Sequence, residues 1–152
     1  MSDPLYRKEL LRLAADAHGA GRLPSPDVTG AAFNPACGDR VSVQLTLVED
    51  RISEFAHETK ACVLAQTSAS ILGAALVNAS RSDVERLRAQ VAEMLESKSS
   101  PPGAPFGAYA VFEGAVEYQS RHRCVLLPID AVLNALFAQE PGGVGLGDQL
   151  PI

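Results

Sequence analysis

The sequence predicts an α+β fold, a short antiparallel sheet covered by helices, and three observations carry that prediction. Val41, Val43, Leu45 and Leu47 alternate strictly with Ser42, Gln44 and Thr46, the period of a half-buried strand. Leu64, Ile71, Leu72, Ala75 and Leu76, and then Val84, Leu87, Val91, Met94 and Leu95, recur at the spacing of a single helix face. Between these runs stand clusters of proline and glycine that regular structure does not tolerate.

Taken in order, Asp3-Pro4 followed by Leu5, Leu10, Leu11 and Leu13 predicts a capped helix with proline at its first position, ended by Gly19 and Gly21. Leu23-Pro24-Ser25-Pro26 through Gly30 carries too many breakers for an element and is expected as an extended surface segment leading to Cys37. The alternating strand begins at Arg40, Glu49-Asp50 turns it, and Ile52 and Phe55 open a second strand. Its imperfect alternation predicts a bulge near Glu54. The helix after Cys62 has small residues, Ser68, Ala69 and Ser70, that let neighbours approach closely. Ser82 with Glu85 matches a capping box for the next helix. Lys98 to Gly107 reads as a flap-like loop and Ala108 to Tyr118 as a short helix. Val125 to Phe137 reads as the last helix, with Pro128 in its first turn. The glycine-rich end is expected to be mobile, which gives a single domain over 1–140 and a flexible tail over 141–152.

At 152 residues the chain is long enough to bury a core, and with 47% hydrophobic residues and no tryptophan that core is built from Leu, Val, Ile and Ala. A formal net charge of -5 argues against nucleic acid or an anionic membrane surface as partners, because either needs a cationic face. No run approaches the roughly 20 apolar residues that span a bilayer. Asp3 and Glu9 stand at the amino end without a long apolar run, so neither a signal nor a transit peptide is expected, and the cytoplasm is the expected compartment.

The chemistry concentrates on Cys37, Cys62 and Cys124, the only three cysteines. An odd number argues against a disulfide framework and for metal binding or a reactive thiol. Gly38 lets the backbone bend so that Cys37 and Asp39 can face one point. Cys62 is placed at a helix start, where unpaired amides and the dipole favour a thiolate, and Cys124 is placed just before the last helix. If these junctions converge, three thiolates and one carboxylate complete the tetrahedral shell that zinc prefers. Lys60, Arg121 and Arg123 would offset the resulting negative charge. His122 is assigned a helper or solvent-facing role, and His18 and His57 ordinary surface or packing roles. The Gly142 to Gly147 run lacks the strand and helix of a phosphate-binding loop, and no serine has the partners of a hydrolase triad.

Asn34-Pro35-x-Cys37-Gly38-Asp39, the Cys62 segment continuing into Thr67-Ser68-Ala69-Ser70-Ile71, and Arg121-x-Arg123-Cys124 together resemble the IscU/NifU-N family of iron-sulfur cluster assembly scaffolds, from about Leu5 to Phe137. The spacing is similar to the SufU branch, with the Pro101-Pro102 loop in that branch's extra segment. The resemblance implies a three-stranded antiparallel sheet packed against helices, the SufE/NifU-like fold. It implies that Cys37, Asp39, Cys62 and Cys124 hold Zn2+, or alternatively Fe2+ or a transient [2Fe-2S] cluster. It further implies that Cys37 accepts persulfide sulfur from a SufS-like cysteine desulfurase when zinc releases one thiolate, with Arg121 in support. Downstream cluster-assembly proteins would be the later partners, and the chain would act as a sulfur-accepting scaffold rather than a conventional turnover enzyme. A non-transferring structural zinc module is the remaining alternative. His57, Thr59 and Ala61 stand where the family usually has an aromatic residue and glycines, Arg123 replaces the histidine of the IscU branch, and that branch's chaperone motif is absent.

Overall fold

The computed structural model describes residues 7–97 and 99–138. Helix α1 spans Lys8–Asp16, strands β1, β2 and β3 span Val28–Asn34, Asp39–Val48 and Arg51–Lys60, and helices α2 and α3 span Val63–Ala75 and Arg81–Ser97. A 3-10 helix over Gly107–Ala115 precedes α4, Gln119–Ala138. Among the described residues the strands form one antiparallel sheet in the order β1-β2-β3. The expected α+β class is therefore the one observed.

The β2–β3 hairpin follows the sequence pattern closely. Val41, Val43 and Leu45 are buried against the helices, Glu49 and Asp50 both take the positive φ of a tight hairpin turn, and the register slips between Thr46 and Leu47, whose partners are Glu54 and Ile52. Ser53 is thus the extra residue of a bulge, beside the expected Glu54.

Strand β1 corrects the expectation of irregular structure through Gly30. Its inward positions carry small residues because α4 lies directly against it: a Cβ on Gly30 would stand 2.4 Å from the Ala135 nitrogen. Close packing has replaced large apolar side chains, and with them the alternation by which a strand is recognised. The connector ahead of β1 does lie over the sheet as an extended segment. Gly21 N–H donates to the His57 carbonyl at 2.9 Å, Leu23 N–H to Gln44 Oε1 at 2.6 Å, and Leu47 N–H to Asp27 Oδ2 at 2.7 Å. It forms a strap across the face that the helices leave open.

The helices show four further differences. Helix α1 ends at Asp16, with Ala17 in the left-handed conformation, before Gly19 is reached. The cap of α3 is the reciprocal pair Ser80 and Asp83, at 2.9 and 3.2 Å, rather than Ser82 with Glu85; both pairs have the box spacing, and the bridge between Ser80 and Arg51 fixes the earlier one. The segment after Gly107 winds as a 3-10 helix. Helix α4 starts at Gln119, so Cys124 lies inside it and Pro128 is interior rather than in the first turn. Pro128 has no N–H for the carbonyl four residues back, which is that of Cys124. Because α4 is buried on most sides, it lacks the amphipathic stripe that would have marked its start.

No helix among the described residues is long and apolar enough to cross a membrane. The Asp3-Pro4 cap, Lys98 and the 141–152 tail lie outside the described residues.

Candidate metal centre

The tip of the β1–β2 hairpin is built by Asn34. Its carbonyl accepts the N–H groups of Cys37 at 3.3 Å and Gly38 at 2.8 Å, and its Oδ1 accepts Ala36 N–H at 3.1 Å, the local bonding by which asparagine initiates turns. Gly38 has φ +77°, a conformation that L side chains rarely adopt. The turn leaves Cys37 exposed and returns the chain with Asp39 buried, on the same strand face as Val41.

Cys62 caps the N-terminus of α2 with extended backbone. Its N–H donates to Asp39 Oδ1 at 3.1 Å, which ties the start of α2 to the base of the hairpin. Cys124 is buried in the second turn of α4, with Asn34 Nδ2 4.0 Å from its Sγ. The ligand atoms of Cys37, Asp39 and Cys124 all lie within 4.8 Å of one another. Cys62 stands outside this trio, turned toward Cys124.

The side chains of Cys62 and Cys124 shift one another in opposite directions. The Cys62 thiol is brought down to about 7, chiefly because the Cys124 side chain hydrogen-bonds to it; burial opposes the shift, and the Ala65 backbone N–H assists it. Cys124 is pushed up strongly by that same bond, by burial and by the negative charge of Cys62, Cys37 and Asp39. So many acidic groups in one place favour retention of protons unless a cation replaces them. Asp39 Oδ2 is buried without a hydrogen-bond partner, an arrangement that costs about 1–3 kcal/mol in a neutral site and that a bound cation would relieve. Two thiols, an orphaned carboxylate oxygen and a third thiol alongside are donors that suit zinc or iron.

The other residues singled out in the sequence sit as follows. Arg121 is half-buried one turn ahead of Cys124, while Lys60 and Arg123 are exposed. His122 is turned away from the centre, with Nε2 3.0 and 3.1 Å from the carbonyls of Ala115 and Val116, and so ties the 3-10 helix to α4. His57 is buried. Its Nε2 lies 2.9 Å from the His18 carbonyl and its Nδ1 2.9 Å from Thr59 Oγ1, and desolvation lowers its pKa against the opposing effect of the His18 bond. His18 is half-exposed, 3.8 Å from Asp16. Asn34 was missed as a site residue, although Asn-Pro at the head of a turn was visible in the sequence as its signal.

Comparison with known proteins agrees with this geometry. The family model of the NifU-like N-terminal domain matches residues 5–125. The iron-sulfur cluster assembly scaffold protein IscU of Streptococcus pyogenes serotype M1 is 25% identical over 103 residues, 68% of this chain; the chain spans 65% of that relative's length. The zinc-dependent sulfurtransferase SufU of Bacillus subtilis strain 168 is 23% identical over 141 residues, 93% of this chain and 95% of that protein. Among solved structures, a nitrogen-fixing NifU-like protein (N-terminal) from Brucella abortus superposes with a TM-score of 0.84 at 30% identity, covering 88% of this chain and 93% of that one. With four fifths of its length matched by the family model, the chain belongs to the NifU-like N-terminal domain family, that of the iron-sulfur cluster assembly scaffolds.

Proposed function

We propose that this chain is a zinc-binding sulfur acceptor in iron-sulfur cluster assembly, receiving sulfur on Cys37 from a cysteine desulfurase. The observation that carries the reading is the asymmetry of the centre: Asp39 and Cys124 are buried on framework elements, whereas Cys37 is exposed at the tip of a turn. Of the three thiols, that of Cys37 is the most open to a donor, ahead of the half-buried Cys62 and the buried Cys124. Zinc held by Cys37, Asp39 and Cys124, with Cys62 as the fourth donor, would keep the thiolates deprotonated and protected from oxidation.

In the transfer itself the Cys37 thiolate attacks the terminal sulfur of the donor's cysteine persulfide. A new S–S bond forms on Cys37, the donor's S–S bond breaks, and its electron pair leaves with the donor cysteine as thiolate, so no external oxidant is consumed. Arg121 places positive charge one helical turn from Cys124, next to the negatively charged candidate ligands. Asp39 holds the Cys62 N–H and thereby keeps α2 against the hairpin. Support also comes from the SufU relative, whose name records zinc dependence and sulfur transfer and whose match extends over nearly the whole chain. A reducing compartment such as the cytoplasm suits three free cysteines, and downstream cluster-assembly proteins would take the sulfur onward.

The test is anaerobic incubation of the zinc-loaded protein with a cysteine desulfurase and cysteine, followed by mass spectrometry of thiol-protected peptides. The expected result is one added sulfur on the Cys37 peptide, abolished in Cys37→Ser. Absence of that adduct, with assembly of iron and sulfide on the same donors under reconstitution, would replace this reading with that of a [2Fe-2S] scaffold.

A further inference from the structure

We propose that Arg40 and Lys60 form a recognition surface for an acidic patch on the protein that delivers sulfur to Cys37, an inference that rests on the sulfur-acceptor reading and adds the chemistry of the partner. Arg40 follows the candidate ligand Asp39, and Lys60 precedes Cys62 by two residues. Consecutive Cα atoms are about 3.8 Å apart, so the Cα atoms of both residues lie within about 8 Å of that of a candidate ligand.

Arg40 and Lys60 are direct partners in the β2–β3 register, and like charges placed opposite one another destabilise a sheet. The fold gains nothing from this pairing. Nor do the two cations serve the centre, because strand side chains alternate between faces: Asp39 and Val41 point to the buried side and Arg40 to the outer one. Both are exposed, and the Arg40 guanidinium lies 5.7 Å from the centre of the Phe33 ring on the adjoining strand.

Like Lys8, Arg12, Arg121 and Arg123 they have no ion partner among the described residues, but of these cations they are the two that face each other on the strands leading into the centre. Arg7, Arg22, Arg51, Arg81, Arg86 and Arg88 are each matched to a carboxylate. Among the described residues neither Arg40 nor Lys60 is. Glu58 shares their face two residues back from Lys60, but it is engaged by Arg22 at 2.9 Å. In a chain of net charge -5, two uncompensated cations beside the exposed thiol are a local reversal of sign. A protein surface presenting carboxylates complements it and would be steered toward Cys37. A nucleic acid would need a longer run of cations than this face offers.

The experiment measures binding of the cysteine desulfurase that loads wild-type Cys37, at low and high salt, for wild type, Arg40→Glu/Lys60→Glu and the single variant Lys60→Glu. The double variant is expected to lose affinity by roughly tenfold or more at low salt, to show a flatter salt dependence, and to retain its zinc content. Lys60→Glu converts the repulsive pair into an attractive one, so it should melt at or above the wild-type temperature and still bind more weakly, a combination that misfolding cannot produce. Equal affinity and an equal salt slope in the double variant, with wild type still accepting sulfur, overturns this inference alone. Failure of wild type to accept sulfur overturns the sulfur-acceptor reading and this inference together. Competition by single-stranded RNA as strong as that by the desulfurase overturns the assignment to a protein partner.

Discussion

The side-chain amide of Asn34 joins the hairpin tip to the last helix: Nδ2 lies 4.0 Å from Cys124 Sγ, while Oδ1 holds the Ala36 N–H at 3.1 Å. At 2% exposure, both ends of the amide are committed. A side chain that orients one thiol and shapes the turn presenting another behaves as the outer partners of metal ligands do, and their loss costs about 10- to 100-fold in affinity. Asn34→Ala is expected to weaken zinc binding by that order. Asn34→Asp, which keeps the acceptor and loses the donor, should do so without disordering the turn. Competition with a chromophoric chelator reads the affinity, and the sulfur-to-cobalt charge-transfer band of the cobalt-substituted protein should shift in both variants.

Asp39→Asn separates the structural from the ligating use of that side chain. The amide oxygen can still accept the Cys62 N–H, but the anionic donor is gone and the orphaned Oδ2 is replaced by a donor facing sulfur. The metal-free variant should melt no lower than metal-free wild type, whereas the rise in melting temperature on adding zinc should shrink. A loss of metal-free stability greater than about 1–2 kcal/mol would assign Asp39 chiefly to the fold.

In the metal-free protein Cys62 should titrate near neutrality, since its thiol stands at about 7. Alkylation of Cys62 by iodoacetamide should rise to half its limiting rate close to pH 7, while Cys124 stays unreactive well into the alkaline range. Peptide-resolved mass spectrometry across a pH series distinguishes the sites. Replacing Cys124 with alanine removes the hydrogen bond and should move the Cys62 midpoint upward.

His57 gives the stability a pH dependence on the acid side. Burial lowers its folded pKa below the ordinary 6.5, so the unfolded chain takes up the proton first. Its contribution is present above pH 6.5 and is lost as pH falls toward the folded value. Urea denaturation at pH 7.5 and pH 5.5 should show a drop for wild type that His57→Gln does not share.

Gly30→Ala should be among the most damaging single substitutions. Its Cβ would fall 2.4 Å from the Ala135 nitrogen and 2.6 Å from the Ala131 carbonyl, both main-chain atoms of α4 that cannot turn aside. A cost of about 1–3 kcal/mol or more is expected from denaturant titration, with β1 displaced from α4.

Elements whose burial is one-sided were legible in the sequence. The alternation of β2 and the stripe Val84, Leu87, Val91, Met94 and Leu95 on α3 each have one wet face, and each appears as read. Strand β1 and the start of α4 were not, because one packs through glycine and alanine and the other is buried nearly all round, so neither leaves a periodic trace. At the centre, sequence spacing indicated which side chains to consider, and the structure gathers Cys37, Asp39 and Cys124. Two things could not be read off: that Cys62 pairs with Cys124 from just outside the trio, and that His122 faces the 3-10 helix. Both depend on α4 beginning six residues earlier than its apolar pattern suggests, which rotates the residues around Cys124 onto definite sides.

Strand β3 lies at the border of the sheet, yet its edge is engaged at two places: Ile52 exchanges bonds with Asn78 and Ala79, and His57 with Gly19 and Gly21. On the opposite border Asn134 donates to the Ala31 carbonyl at 2.6 Å. At these positions both flanks are covered, which hinders strand addition by a stranger chain, the usual route to fibrils for a small sheet. The hairpin tip, with Cys37 exposed, is by contrast left available for company.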